Sequence, residues 1–478
     1  GLYVNDEFRA SDHDPVVIGY GPPAIATIPE IQGSGSSSPF EDAYVITTGV
    51  VTGDFQDAGE QSGFYMQDPA GDGDPATSDG IFVFYPGGAT DVQVGDLVEV
   101  VGTVDEFFGM TQIGFATVMV TGTGTVTPTD LTLPVADREP FEGMLLSFPQ
   151  DMYVSDTFNL HRFGEAVLSS GERQFQPTNN SAPAPGFDNN GNTVADSLEG
   201  TRLLLDDGST GQFPTTVPYL GTDGTLRLGD STSNLVGVLA YGFGSYRLHP
   251  TVEPVWNGTN PRPAGPDVEG DVIVATLNMM NYWTTIDDGN NGARGADSVA
   301  ERLRQQTKMV TAVRALGADI IGLQELENNG DVAAQDLVDA LNAAEGSTVW
   351  ATVAEPAYPG GLGATNAIKV GIIYRLDRVT TVGLAIADDD PIFAQDRPPI
   401  AQTFVWEGDE FTVVVNHFKS KSSRNATGAD LDQNDGQAAY NARRTAQAVA
   451  LLDFVADLQT STGDDDVLVI GDFNSYAE

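Results

Sequence analysis

The spacing of the apolar runs changes at residue 271, and this change constrains the fold more than any other feature of the sequence. From Tyr44 to about Val120, short apolar runs alternate with Gly/Asp turns at roughly ten-residue spacing, which is typical of antiparallel β-structure. From residue 271 onward, near-continuous apolar strands alternate with helical patterns, which predicts a covered α/β sheet. We therefore expect a multidomain chain, β-rich at first and α/β afterwards.

Segments rich in Gly, Pro and Ser mark the predicted linkers, because such composition does not support a packed element. The β-rich stretch is predicted to begin with an OB-like barrel, since five short strands fit that fold. The predicted segments are, in order, 1–20 (a short terminal piece), 21–42 (linker), 43–135 (OB-like β domain), 136–257 (second β-rich region), 258–270 (linker) and 271–478 (α/β domain).

Two helices are predicted within the α/β segment. Ser298 with Glu301 three residues later forms a capping box, and apolar residues then recur at helical spacing until Gly317. A second helix is expected from about Gln437 to Leu458, between the last two strands.

The charge and the absence of cysteine exclude several classes of protein. The 478 residues carry a formal net charge of −46 and include four lysines, all at or after residue 308. A surface this acidic repels nucleic acid unless divalent cations and a local basic rim are present. Without cysteine, a disulfide framework, thiolate zinc sites and a cysteine nucleophile are excluded. No apolar run is long enough to predict a membrane span.

Several strands of the last third end in polar residues, which is where α/β proteins usually carry their chemistry. Asn278 follows one strand, Glu325 a second, His417 a third, and Asp472 with Asn474 a fourth. Oxygen ligands without clustered His or Cys favour Mg²⁺, Mn²⁺ or Ca²⁺ over zinc. A histidine beside such a cation, with no Ser or Cys nucleophile, suggests attack of water on a phosphodiester.

The strings TLNMMNYW, GLQELEN, NAIKVGIIYR, NHFKS and GDFN occur in this order on strand ends. Together they resemble the endonuclease/exonuclease/phosphatase superfamily, in particular large secreted bacterial nucleases with an OB-like domain ahead of the nuclease. The motif SDHDPV at 11–16 resembles the last motif of that family. The resemblance implies an α+β four-layer sandwich that, on this reading, is incomplete after GDFN.

The resemblance also implies roles for individual residues. Glu325 would be the principal metal ligand, with Asn278 beside it. Asp472 and Asn474 would orient the water and the scissile phosphate, and His417 would act as the acid for the leaving oxygen or stabilise the phosphate. The remaining expected residues are Asp12 facing the metal, His13 polarising water or clamping phosphate, and Lys419, Lys421 and Arg9 as a basic rim.

The position of the SDHDPV motif at the N-terminus leaves three alternatives. Residues 1–20 belong to an upstream nuclease unit, or they complete a permuted domain whose ends meet in space, or the sequence joins pieces of a gene fragment. The distance between His13 and Asp472 distinguishes the first two.

An Asp-rich loop is a candidate calcium site, formed by Asp68, Asp72 and Asp74. The alternative is a solvated turn on an acidic surface.

The sequence thus predicts a secreted, metal-dependent nuclease that acts on extracellular DNA, with RNA as a second candidate substrate and Mg²⁺ or Mn²⁺ as cofactor. Calcium is expected as an auxiliary or structural ion. The alternatives are a phosphodiesterase or phosphatase of the same fold that acts on phospholipid or phosphomonoester, and an inert matrix or adhesion module. The resemblance implies a bacterial protein, the acidic composition suggests marine or saline surroundings, and no protein partner is predicted.

Overall fold

A computed structural model of the chain describes residues 22–175, 178, 200–221, 224–265, 268–358, 361, 363, 365–433 and 435–476. The described residues up to 175 and from 200 to 262 belong to one compact unit. Those from 263 on, with Thr178, belong to a second.

The first sheet of the first unit closes into a barrel. Its strands are β1 (Ala24–Ile25), β2 (Tyr44–Phe55), β3 (Gly63–Gln67), β4 (Gly80–Phe84), β5 (Asp96–Phe107) and β6 (Met110–Thr123). The order of pairing is β1-β2-β3-β4-β6-β5, and β2 also pairs with β5. The β1–β2 and β4–β6 pairings are parallel and the other pairings of this sheet are antiparallel. Closure removes the free edges that an open sheet would present.

Residues 21–42, expected to be a linker, contain ordered elements that pack on the barrel. Strand β1 pairs in parallel with β2, and helix α1 (Ile28–Gln32) begins after Thr27 with a capping box to Glu30. Ile28 and Ile31 are fully buried in the barrel core. The Pro- and Ser-rich composition concealed these two isoleucines, which give the segment an apolar face to bury.

The second sheet of this unit has eight strands. They are β7 (Thr129–Asp130), β8 (Leu145–Phe148), β9 (Met152–Asp156), β10 (Ala166–Ser170), β11 (Arg202–Leu205), β12 (Ser231–Thr232), β13 (Leu235–Gly242) and β14 (Ser245–Pro250), with a short helix α2 (Leu160–Phe163). The pairing order is β12-β9-β10-β11-β14-β13-β8-β7. Val238 and Ala240 of β13 pack against Phe55, Tyr65 and Phe82 of the barrel, so the two sheets share an apolar contact.

One buried carboxyl group lies near this contact. Glu142 is 1% exposed, and its Oε1 accepts a hydrogen bond of 2.9 Å from the backbone N–H of Thr111. Burial, together with the nearby charges of Glu139 and Glu106, raises the pKa of Glu142 to about 8. The folded first unit therefore holds Glu142 protonated at neutral pH.

The second unit contains two four-stranded sheets. One is formed by β15 (Val274–Tyr282), β16 (Ile320–Glu327), β17 (Trp350–Thr352) and β18 (Ile368–Arg375), in the order β15-β16-β18-β17. The other is formed by β19 (Thr380–Ala387), β20 (Ile400–Trp406), β21 (Asp409–His417) and β22 (Val467–Asp472), in sequence order. The pairs β15–β16 and β21–β22 are parallel.

The two sheets stack face to face, with helices on both outer sides. Val370 and Ile372 of one sheet meet Phe404 and Val413 of the other in the shared core. Helices α3 (Val299–Leu316) and α4 (Val332–Glu345) cover the first sheet, and α5 (Asn441–Thr462) covers the second. The result is a helix–sheet–sheet–helix sandwich, in which residues from both sheets can meet at one end.

The helix ends show where local sequence decides the structure. Helix α3 begins after Ser298, whose side chain accepts from the Glu301 N–H, and ends at Gly317 in the left-handed conformation, as predicted. The reciprocal bond of the predicted capping box differs, because Glu301 Oε2 accepts from the Asp297 N–H instead of the Ser298 N–H. Helix α5 begins at Asn441 instead of Gln437, because Ala438 and Tyr440 have positive φ angles of 61° and 62°. No described helix combines the length and apolarity needed to cross a bilayer.

Candidate active site

Strands from both sheets bring Asn278, Glu325 and Asp472 together. The side-chain amide of Asn278 donates to Glu325 Oε1 at 3.2 Å and to Asp472 Oδ2 at 3.1 Å. Asn278 and Glu325 belong to the first sheet and Asp472 ends the last strand of the second. One amide therefore bridges two carboxylates that would otherwise repel each other.

Irregular backbone positions Glu325 within its strand. Its φ is +62°, and the pairing of β16 with β18 shifts register between Leu323 and Leu326. The backbone N–H of Asn281, itself at a φ of +56°, donates to Glu325 Oε2 at 2.9 Å. A non-glycine residue in the left-handed region costs free energy, and such strain clusters at functional sites.

His417 and Asp472 face each other across the parallel pair β21–β22. They occupy paired register positions, and His417 Nε2 lies 3.6 Å from Asp472 Oδ2. Burial, with the nearby charge of Arg397, lowers the pKa of His417 to about 3. His417 Nδ1 is buried and has no hydrogen-bond partner among the described residues. The imidazole is therefore neutral near pH 7.

Asn474 fixes the other oxygen of Asp472. Its backbone N–H donates to Asp472 Oδ1 at 2.8 Å, and its side-chain amide donates to the Phe418 carbonyl at 3.1 Å. Like Glu325, Asn474 has a positive φ, of 50°. Asp472 is thus held on one oxygen by Asn474 and on the other by Asn278.

The two lysines predicted as a basic rim both have partners in the structure. Lys421 Nζ donates to the Asn474 carbonyl at 3.0 Å, and burial lowers the pKa of Lys421. Lys419 Nζ lies 3.7 Å from Asp396 Oδ1 and 4.7 Å from the ring centroid of Tyr440. These lysines lie beside the site and help to hold its loops.

Arg397 is a site residue that the sequence reasoning did not identify. It is buried, and it donates from Nε to the His417 carbonyl at 3.2 Å and from Nη2 to the Phe418 carbonyl. Burial lowers its pKa, against the attraction of Asp396, Asp472 and Glu325. An arginine just before a predicted strand, in DRPPI, was the available signal, but arginines in loops are common on surfaces.

A second unpredicted group connects helix α5 to the loop after His417. Gln447 is fully buried; its Oε1 accepts from the Lys419 N–H at 2.9 Å and its Nε2 donates to Asp396 Oδ2 at 3.0 Å. Arg443 Nε donates to the same Asp396 oxygen at 2.5 Å. The backbone around His417 is therefore held by side chains from several elements.

A cavity of about 520 Å³ lies beside these residues. Its lining includes Arg397 and Asp396, with Tyr358, Lys369 and Asn328. Lys369 Nζ pairs with Glu355 Oε1 at 3.0 Å within the lining. Since Arg397 also contacts the backbone at His417, the cavity adjoins the site and has room for part of a substrate.

The donor set at the site fits a hard divalent cation. Glu325 and Asp472 supply two carboxylates, and Mg²⁺ commonly takes one or two carboxylates together with water and phosphate oxygens. The amide oxygen of Asn278 accepts from the Met280 N–H at 2.9 Å, so Asn278 orients the two carboxylates through its NH2 group. Within the described ranges, no group of three or more His, Asp or Glu side chains is close enough to share an ion.

The other predicted residues lie either outside the described residues or in the first unit. Asp12, His13 and Arg9 lie outside the described residues. In the Asp-rich loop, Asp68 Oδ1 accepts from the Ala70 N–H at 2.9 Å and Asp72 Oδ1 from the Asp74 N–H at 2.8 Å. These bonds are those of short Asx turns, so the alternative of a turn accounts for the geometry of Asp68 and Asp72.

Comparison with known proteins identifies the class of this sandwich. Residues 275–478 match the model of the endonuclease/exonuclease/phosphatase family. The C-terminal α/β segment is therefore similar to the domain of that family, whose members include nucleases, phosphodiesterases and phosphatases. Members of the family generally use divalent metal ions. No curated protein sequence matches the chain.

Several solved structures are similar to the chain at low identity. A humanized D. rerio TDP2 shares 16% identity, with 42% of this chain and 62% of that chain covered and a TM-score of 0.26. An endonuclease/exonuclease/phosphatase family protein from Bacteroides thetaiotaomicron shares 16%, with 42% and 63% covered and a TM-score of 0.27. The human Nocturnin catalytic domain with bound sulfate shares 19%, with 36% and 57% covered and a TM-score of 0.24. The chain thus spans about three fifths of the length of these structures.

Proposed function

We propose that the domain at 275–478 is a metal-dependent nuclease that hydrolyses phosphodiester bonds of DNA, with RNA as the second substrate to test. The observation that carries this proposal is the joining of Glu325 and Asp472, from two different sheets, by the single amide of Asn278. Two carboxylates held this close favour a cation that binds phosphate.

Each residue of the site has a role in the proposed reaction. Glu325 and Asp472, oriented by the NH2 group of Asn278, would hold Mg²⁺ or Mn²⁺, which when bound neutralises phosphate charge and lowers the pKa of water. Asp472, held on Oδ1 by Asn474, orients the attacking water from its other oxygen. His417, as a neutral imidazole, donates a hydrogen bond from Nε2 to a phosphate oxygen. This favours the stabilising role of His417 over the role of acid.

The fold of the first unit and the net charge of the chain support two further proposals, on domain organisation and on environment. We propose that β2 to β6 form an OB-like barrel, since the pairing order β2-β3-β4-β6-β5 with closure of β2 on β5 is that of an OB fold. We also propose that the protein is secreted by a bacterium into saline surroundings. A net charge of −46 keeps a chain soluble where salt screens its self-repulsion.

The test uses the purified chain and supercoiled plasmid, with cleavage followed on agarose gels. Cleavage should require Mg²⁺ or Mn²⁺, stop with EDTA and resume when the cation is restored. Glu325→Gln and His417→Ala should abolish it, and Glu410→Gln, on the exposed start of β21, should not. Cleavage that persists in EDTA contradicts the metal assignment.

Parallel assays separate the alternatives. Hydrolysis of bis-p-nitrophenyl phosphate and DNA, without p-nitrophenyl phosphate or phosphatidylcholine, supports the nuclease. Hydrolysis of the monoester or the phospholipid alone identifies a phosphatase or phospholipase. A folded chain that binds Mg²⁺ and hydrolyses none of these is an inert module.

A further inference from the structure

Two hairpin turns of the first unit present phenylalanine rings to solvent. Phe108 lies in the turn between β5 and β6 and is 81% exposed; Phe243 lies in the turn between β13 and β14 and is 96% exposed. Phe107, beside Phe108, is 53% exposed. Burial of rings is the usual outcome for phenylalanine, so rings this exposed call for an explanation.

Phenylalanine strains the backbone at both turns. Phe108 has a φ of 52° and Gly109 of 88°; Phe243 has a φ of 54° and Gly244 of 80°. Positive φ at both central residues of a two-residue hairpin defines a turn that strongly prefers Asn-Gly or Asp-Gly. Phenylalanine at the first of these positions makes the turn less stable, so local folding does not account for it.

The two turns lie close together within the first unit. A side chain added at Gly109 would approach the ring of Tyr241 to 3.0 Å, and Tyr241 is two residues before Phe243. Met110 and Tyr241 also pack on the same apolar cluster. The turn that carries Phe107 and Phe108 therefore lies beside strand β13, which leads into the turn of Phe243; the three rings are called here the phenylalanine tips.

The phenylalanine tips carry no charge in a chain that is acidic almost everywhere else. Their segments read FFGM (107–110) and YGFGSY (241–246). Of the neighbouring charged side chains, Glu106 accepts from Thr111 Oγ1 at 2.8 Å and Arg247 donates to Glu165 at 3.0 Å. Asp105 is exposed, and Glu139 accepts from the Tyr246 hydroxyl at 2.6 Å. The Arg247 guanidinium also lies 5.3 Å from the Phe243 ring centroid, which holds this ring in place.

The charge pattern selects one kind of partner. The first unit contains no lysine, so phosphates of a nucleic acid strand would find few cations here. Phe107 and Phe108 also meet edge to face, at 4.7 Å and 81°, so they do not form two parallel plates around a base. Uncharged apolar rings at protruding tips match the interfacial region of a bilayer without net charge.

We propose that the phenylalanine tips insert into the surface of a zwitterionic lipid bilayer and dock the first unit on it. All of their residues belong to the first unit and none to the proposed nuclease domain, so this inference stands or falls independently of the proposed function. The backbone strain at Phe108 and Phe243 lowers the stability of the first unit, and exposure of the rings accounts for this loss.

The test is co-flotation of the full chain with phosphatidylcholine vesicles in high-salt buffer, which screens the net charge. The parent chain should float with the vesicles, and the double variant Phe108→Asn/Phe243→Asn should lower the partition coefficient at least tenfold. The matched control is Glu407→Asn, which changes the same turn position in the β20–β21 hairpin, where Glu407 and Gly408 have φ angles of 49° and 100°. This control should float like the parent.

Thermal unfolding and a nucleic acid probe complete the experiment. Because asparagine suits the turn, the double variant should unfold at a temperature no lower than the parent. The proposal is overturned if the parent does not bind vesicles, if the double variant floats equally well, or if the variant unfolds at a markedly lower temperature. It is also overturned if vesicles do not bind and the double variant loses oligothymidylate binding that the parent shows, since the tips would then be a strand-binding surface.

Discussion

The side-chain amide of Asn278 donates a hydrogen bond of 3.1 Å to Asp472 Oδ2, across two sheets and 194 residues of chain. Asn278→Ala should therefore lower plasmid cleavage by roughly 10²–10³, because the two carboxylates lose the donor that holds them together. Initial rates at saturating Mg²⁺ measure the effect. Asn290→Ala, in an exposed loop, is the control, and an equal loss there would assign the effect to folding.

Arg397 should affect catalysis by positioning the loop that follows His417. Arg397→Lys keeps the charge but cannot donate to both the His417 and the Phe418 carbonyls. We expect kcat to fall about tenfold or more with a smaller change in KM, because a slightly displaced reacting group loses its productive geometry. Steady-state kinetics on an oligonucleotide give both constants. A change confined to KM would instead place Arg397 in substrate binding.

The segment predicted as a linker should contribute to stability. Ile28 is fully buried in the barrel core, whereas Ile25 is 91% exposed. Ile28→Ala should lower the free energy of unfolding of the first unit by about 2–5 kcal/mol, since it leaves a cavity. Ile25→Ala should change it by less than about 0.5 kcal/mol. Urea denaturation compares the two variants. If both change the free energy of unfolding by a similarly small amount, residues 21–42 act as a linker.

Glu142 should make the stability of the first unit depend on pH. Its pKa is raised from 4.5 to about 8, so between these values the folded state keeps a proton that the unfolded state releases. The free energy of unfolding should fall as the pH rises through this window. Glu142→Gln removes the effect, so the variant should gain a few kcal/mol over the parent at pH 8 and almost nothing at pH 4. Unfolding at both pH values, with Glu41→Gln as the exposed control, checks this.

The capping residue of α3 offers a smaller, local prediction. Ser298→Ala removes the acceptor of the Glu301 N–H and should cost about 1 kcal/mol, and Ser298→Asn should restore most of it. In thermal unfolding, the melting temperature should decrease in the order parent, Ser298→Asn, Ser298→Ala. An alanine variant as stable as the parent would mean that packing alone sets the start of this helix.

The sequence predicted those features that short segments determine. The cap at Ser298 and the end at Gly317 follow from cap patterns. Strand-end patterns singled out Asn278, Glu325, His417 and Asp472, but these residues come from two stacked sheets and meet at one end of the sandwich. The roles assigned to these site residues remain predictions. Parallel strands such as β21 and β22 place His417 beside Asp472 by register alone.

Features set by distant contacts were not predictable in the same way. Arg397 and Gln447 act on backbone groups of a loop that only the fold brings near. The start of α5 depends on positive φ angles at Ala438 and Tyr440, residues for which propensity favours a continuing helix. The packing of α1 depends on a barrel that forms from residues far along the chain.

The bond between Asn278 and Asp472 also makes the alignment of the two sheets a condition for catalysis. A displacement of one sheet along the other by a single residue, about 3.3 Å, would separate the two carboxylates completely. Activity would then report on inter-sheet slip long before either sheet unfolds, so the sandwich is expected to inactivate on heating at a lower temperature than it melts.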